Sequence, residues 1–173
     1  MGYRRPFDVA GFRSRTAGEL FTMMQSNRDW LLAHLEPVPD ELLWKRPIAH
    51  KNSIGNLLWH IAQAERDWIV HWIDGQPFPR DREREFSADL AYTRKDLLDE
   101  LAAVRTKSEA VLRRLEDVDL DRPVSRPGYS YTVKRALLHV IQHEAYHVGQ
   151  VVYLREALLA GQPAVASGDA GRS

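Results

Sequence analysis

Four stretches of the chain repeat apolar residues at helical spacing, and none alternates in the manner of a strand over more than a few residues. The first runs from about Arg15 to Leu35, with Ala17, Leu20, Phe21, Met24, Leu31 and Leu35 on one face and Pro37 and Pro39 as the stop. The second runs from about Ser53 to Asp74; its stripe is Ile54, Leu57, Leu58, Ile61, Trp68 and Trp72, Asn52 or Ser53 caps it, and Gly75 suits a left-handed end. The third, about Arg94 to Glu116, opens on a Thr93/Asp96 capping box and sets Leu97, Leu101, Val104, Val111 and Leu115 along a bundle seam. The fourth, about Val133 to Leu159, is capped by Thr132, carries Val133, Ala136, Leu137, Val140, Val151, Leu154 and Leu158, and stops at Gly161 and Pro163.

Four amphipathic helices of about 20 residues bury their stripes only against one another, so the expected fold is all-α, a four-helix bundle. It occupies residues 1–160 as one domain, and GQPAVASGDAGRS at 161–173 reads as a disordered tail. The PRDREREF and DVDLDRPVSRPGYSY stretches are read as loops over the bundle ends. No short internal repeat is present.

Composition narrows the function. Of 173 residues, 24 are Lys or Arg and 24 Asp or Glu, so no net field draws nucleic acid or an anionic membrane. No apolar run reaches the ~18 residues of a membrane span, and MGYRRPFDVAGFRSR lacks a signal peptide's apolar core, which points to a cytoplasmic protein. Without cysteine, any metal is held by nitrogen and oxygen, and any thiol chemistry uses a thiol brought by a substrate.

The candidate chemistry lies in the histidines. His143 and His147, four apart, share a helix face that falls within the apolar stripe of the fourth helix, where two imidazoles need polar partners. Hydrogen bonds to neighbouring groups would satisfy them; so would one metal ion, if a third histidine joins. The second helix offers His60, on the flank of its stripe beside Leu57 and Ala64, and His71 near its end; either completes a three-nitrogen site. His139 sits at the stripe edge and reads as a packing or outer-shell residue, while His34 and His50 flank a loop and read as surface. Three ligands with an open position describe a catalytic centre, where water is acidified or a thiolate held.

His143-Glu144-Ala145-Tyr146-His147 spells the HExxH of zinc proteases. The reading fails: no third histidine follows downstream, Gly149 falls two residues after the second histidine rather than three, and no sheet is present to align a peptide.

Together the fourth helix, LLHVIQHEAYHVGQV, and the second, SIGNLLWHIAQAERDWI, resemble the DinB/YfiT-like family, from the first helix to about Leu159. The most specific part is H-x-x-x-H followed by G-Q, here His143, His147, Gly149 and Gln150, with the Leu-Trp-His of the second helix. The resemblance implies an up-down-down-up bundle, commonly a homodimer, with one divalent transition metal, nickel or zinc, on His60, His143 and His147. Relatives include thiol-dependent transferases and isomerases. The leading expectation is therefore an S-transferase-type enzyme acting on a small molecule with a low-molecular-weight thiol. Alternatives are a metal-dependent hydrolase using activated water, with Glu65 as base, or a non-catalytic stress-related protein with a structural metal. Glu65 has a plainer role open to it, a buried salt bridge to an arginine such as Arg28.

Overall fold

The computed structural model describes residues 9–48 and 50–160; the proposed tail and the Gly161/Pro163 stop lie outside the described residues. The four helices are α1 (Arg15–Leu35), α2 (Ile54–Glu65, continuing as a π-helix over Arg66–Ile73), α3 (Arg94–Arg114) and α4 (Val133–Ala160). Each start follows from local chemistry. Ser14 Oγ accepts the Ala17 N–H, Ser53 rather than Asn52 forms a capping box with Asn56, Thr93 forms one with Asp96, and Thr132 Oγ1 accepts the Arg135 N–H. Gly75 takes a φ of 79° at the end of the second helix, a left-handed conformation that costs glycine nothing.

Pairs of contacting residues give the direction of each helix. Along α1 and α4, Asn27 reaches Ile141 O and His34 meets Arg155, so the two run parallel. Along α2 and α3, Trp59 stacks on Tyr92, Gln63 bonds Glu100 and Glu65 bonds Arg105, again parallel. Across the bundle, α1 opposes α3, with Arg28 on Leu101 O and Arg94 on Leu35 O, and α2 opposes α4, with His60 beside His147 and Trp68 beside His139. The topology is up-down-down-up.

Two consecutive parallel helices require a connection that runs back along the bundle, and residues 74–93 supply it. The PRDREREF stretch is therefore not a loop over an end: its short 3-10 turn, Arg84–Phe86, packs against α2 and buries Glu85. The second long connection contains a 3-10 turn at Asp117–Asp121 and a two-stranded antiparallel ribbon of β1 (Pro123–Val124) and β2 (Tyr131–Thr132), with Pro123 opposite Thr132 and Val124 opposite Tyr131. Strands this short leave no alternating pattern in the sequence.

The π-helix also shifts the second stripe. Trp68 is buried as expected, but Ile69, Val70 and Ile73 join it and Trp72 is only half-buried, because each π hydrogen bond spans five residues and rotates the face after Glu65.

Two apolar clusters form the core. One holds Leu20, Met24, Trp68, Ile69, Val133 and Leu137; the other holds Leu31, Leu57, Leu58, Ile61, Leu101 and Val151. Between them lies a charged layer with one residue from each helix: Arg28, Glu65, Arg105 and Glu144, all at most 5% exposed. Arg28 bonds Glu144 at 2.7 Å and Glu65 at 3.0 Å; Arg105 bonds Glu65 at 2.9 Å and Glu144 at 2.8 Å. Two cations and two anions cancel, and Leu101 O and Gln25 Oε1 accept further guanidinium hydrogens. No described helix is long and apolar enough to cross a membrane.

Candidate metal centre

Beside the charged layer, α2 and α4 bring three imidazoles together. His60 comes from α2, His143 and His147 from successive turns of α4, and their ligand atoms all lie within 4.8 Å of one another. His143 Nε2 is 3.0 Å from His60 Nε2 and 3.1 Å from His147 Nε2. His60 and His147 are buried and His143 is partly so.

Hydrogen bonds on the far side of two rings fix which nitrogen faces inward. His60 Nδ1 is 2.6 Å from Glu85 Oε2, and a carboxylate only accepts, so Nδ1 carries the proton. His147 Nδ1 is 2.7 Å from Gln150 Oε1, and the same amide donates from Nε2 to Tyr146 Oη at 3.1 Å. Both inward Nε2 atoms are then bare lone pairs. His143 can satisfy one of them with a proton and not both, so the cluster as it stands leaves an acceptor without a donor. A cation resolves this, and a tetrahedral ion with nitrogen ligands at about 2.0–2.1 Å sets them roughly 3.3 Å apart, close to the two spacings at His143. The residues fit a divalent metal.

Electrostatics keeps His143 and His147 neutral, as ligation requires. Burial, reinforced by the neighbouring His147 and His60, pushes His143 down to about 2. Burial likewise pushes His147 to about 4 against the upward pull of Gln150. Burial alone would raise Glu85, yet Arg80 and His60 overcome it and hold the carboxyl below its ordinary range.

The other histidines stay apart. His71, the alternative third ligand, bonds Gln76 O and lies on Trp72. His139 packs between Trp68 and Tyr131, its ring centre 6.1 Å from that of His143, and takes a packing role. His50 is exposed, whereas His34 is half-buried beneath Arg155, which corrects its reading as a surface residue.

Neither carboxylate considered as a base is free. Glu65, 1% exposed, is occupied by Arg28 and Arg105, which hold it ionised and below the usual range despite burial. That bears out its plainer reading, a buried salt bridge to Arg28, and overturns the alternative of a hydrolytic base. Glu144 is taken by the same two arginines, which also removes the glutamate that HExxH chemistry needs. The sequence reading missed Arg105; its trace is the break in the α3 seam between Val104 and Val111, where Arg105 and Ser108 are buried instead.

The sequence matches the DinB superfamily over residues 6–151. The chain belongs to the DinB superfamily. Among solved structures, this DinB protein is similar to a conserved protein from Enterococcus faecalis, with 18% identity and a TM-score of 0.67 over 82% of this chain and 95% of the other. At that identity the likeness concerns the fold. No curated protein matches the sequence.

Proposed function

We propose that this DinB protein is a metal-dependent enzyme of the thiol S-transferase type, with nickel or zinc on His60, His143 and His147. The observation that carries the reading is the donor set: three imidazoles and, among the described residues, no carboxylate beside them that is not already neutralised by an arginine. A divalent ion in such a site supplies a Lewis acid that lowers the pKa of a thiol occupying an open position. Hydrolysis needs a base to take a proton from water, and the two carboxylates nearest in sequence to that task are engaged elsewhere. A thiol of ordinary pKa needs less help than water.

The protein's own part is to hold the three nitrogens and to receive the second substrate. A groove of about 410 Å³ adjoins Gln150, the residue that orients His147. Among the described residues its lining includes the apolar Leu57, Leu154 and Ile48, the aromatic Tyr146 and Tyr153, and one charged side chain, Lys51. These surfaces suit a small molecule with an apolar body. A cytoplasmic location, where low-molecular-weight thiols are kept reduced, belongs to the same proposal.

The test is a thiol titration of cobalt- or nickel-substituted protein. The expected outcome is a saturable sulfur-to-metal charge-transfer band, absent in His143→Ala. If biological thiols leave the spectrum unchanged while simple esters are hydrolysed, activated water replaces the transferase reading. If neither perturbs the metal, its role is structural.

A further inference from the structure

Among the described residues, the connection between α2 and α3 buries one carboxylate, Glu85, 1% exposed, and aims it at His60. Glu85 does not act alone. Arg80 clasps it in a two-point fork, Nε to Oε1 at 2.6 Å and Nη2 to Oε2 at 2.9 Å, and donates its remaining nitrogen, Nη1, to Asp67 Oδ2 at 2.9 Å. Asp67, in the π-helical part of α2 and also buried, is held by Trp72 Nε1 at 3.0 Å and by Arg126 Nη1 at 2.6 Å. The charges alternate along an unbroken line: Arg126, Asp67, Arg80, Glu85, then the His60 ring. Phe86 adds a wall, its ring centre 4.7 Å from that of His60.

This arrangement has no purpose in packing the bundle core, whose charged layer is already complete without it. Burying two carboxylates and a guanidinium costs free energy that an apolar contact would not, and the line ends on the one α2 histidine of the cluster. We infer that Glu85 is a positioning residue for the metal centre: delivered by the α2–α3 connection and locked by Arg80, it fixes His60 in the Nδ1–H tautomer with Nε2 facing the metal. The inference rests on His60 being a ligand. It adds that the centre is built from three elements, with the returning segment supplying the group that orients the α2 ligand. Outer-shell carboxylates of this kind change metal affinity by about 10–100-fold when removed. Asp67 and Arg126 brace the line from the far end, so their loss acts more weakly.

The experiment uses the full chain in two states. In metal-free protein, long-range nitrogen–proton correlation NMR reads the His60 tautomer; the expected result is Nδ1–H in the wild type and a mixed tautomer in Glu85→Gln. In cobalt-loaded protein, chelator competition reads affinity and the visible bands read ligand geometry. Glu85→Gln should weaken binding about 10–100-fold and shift the bands at full occupancy, Glu85→Asp should restore part of both, and Arg80→Lys, which keeps the charge and loses the fork, should fall between. A wild-type His60 in the Nε2–H form, or a folded Glu85→Gln protein with unchanged affinity and bands, overturns the inference. His60→Ala separates the two levels. If it keeps full affinity, the ligand assignment has failed; if it loses the metal while Glu85→Gln does not, only the positioning role has.

Discussion

Individual side chains at this site are legible through their partners. His60, His143 and His147 each have a specific place, so alanine at any one should sharply reduce metal content by elemental analysis, whereas alanine at His34, His50 or His71 should leave it intact. Full retention in His60→Ala would move the third ligand elsewhere. The depressed histidines also make a pH prediction for metal-free protein. Unfolded imidazoles take up protons below about 6.5, while His147 in the folded chain resists until about 4 and His143 until about 2. The unfolded state therefore binds more protons, so stability is highest above about 6.5 and falls as the pH drops below it. The loss is up to about 1.4 kcal/mol per histidine over the first pH unit. Denaturant midpoints between pH 7 and 5.5, a window in which the carboxylates stay ionised, should show it, and His143→Ala should remove part of the slope. A flat midpoint across that window would contradict the burial of these rings.

The elements differ in how far their sequences foretell them. Helix starts are local: Ser14, Ser53, Thr93 and Thr132 each cap a helix from within four residues, so capping chemistry is enough to place them. The course of residues 74–93 is not local. It follows from α2 and α3 running parallel, and it is fastened by Asn56, whose amide donates to Glu85 O at 3.1 Å and Ser87 O at 2.9 Å while its oxygen accepts from Arg46. Asn56→Ala should remove the side-chain amide from both carbonyls, leaving Ser87 O its bond from Arg46, and destabilise the protein by about 1–3 kcal/mol. Amide hydrogen exchange should quicken around residues 83–87 before it does in the helix centres. Uniform exchange across the chain would show that the segment is held by something else.

For the molecule as a whole, the charged layer makes the four helices interdependent. Glu65→Leu leaves Arg28 and Arg105 facing each other with only Glu144 between them, and should cost about 3–5 kcal/mol in urea unfolding. Apolar replacement of all four charges together should cost far less or stabilise; a single substitution without effect would contradict the closed layer. Assembly is expected to be dimeric, as the family resemblance implies, and Trp30, 51% exposed on α1, is one aromatic available to a subunit contact. Sedimentation at micromolar concentration should give twice 19.9 kDa; a monomer would refute it. The sequence by itself determined the four helices, the Thr93 and Thr132 caps, the all-α class and the histidine pair on α4, because helical period, capping and i, i+4 spacing act within a few residues. The residue pattern alone left His60 and His71 both open and only suggested the Glu65–Arg28 bridge; the tertiary structure placed His60 beside that pair, joined Glu65 and Glu144 in one ion layer, and set Glu85 behind His60. Each of these pairs residues 25 or more positions apart in the chain, and helix direction and packing set such distances, which no local pattern encodes.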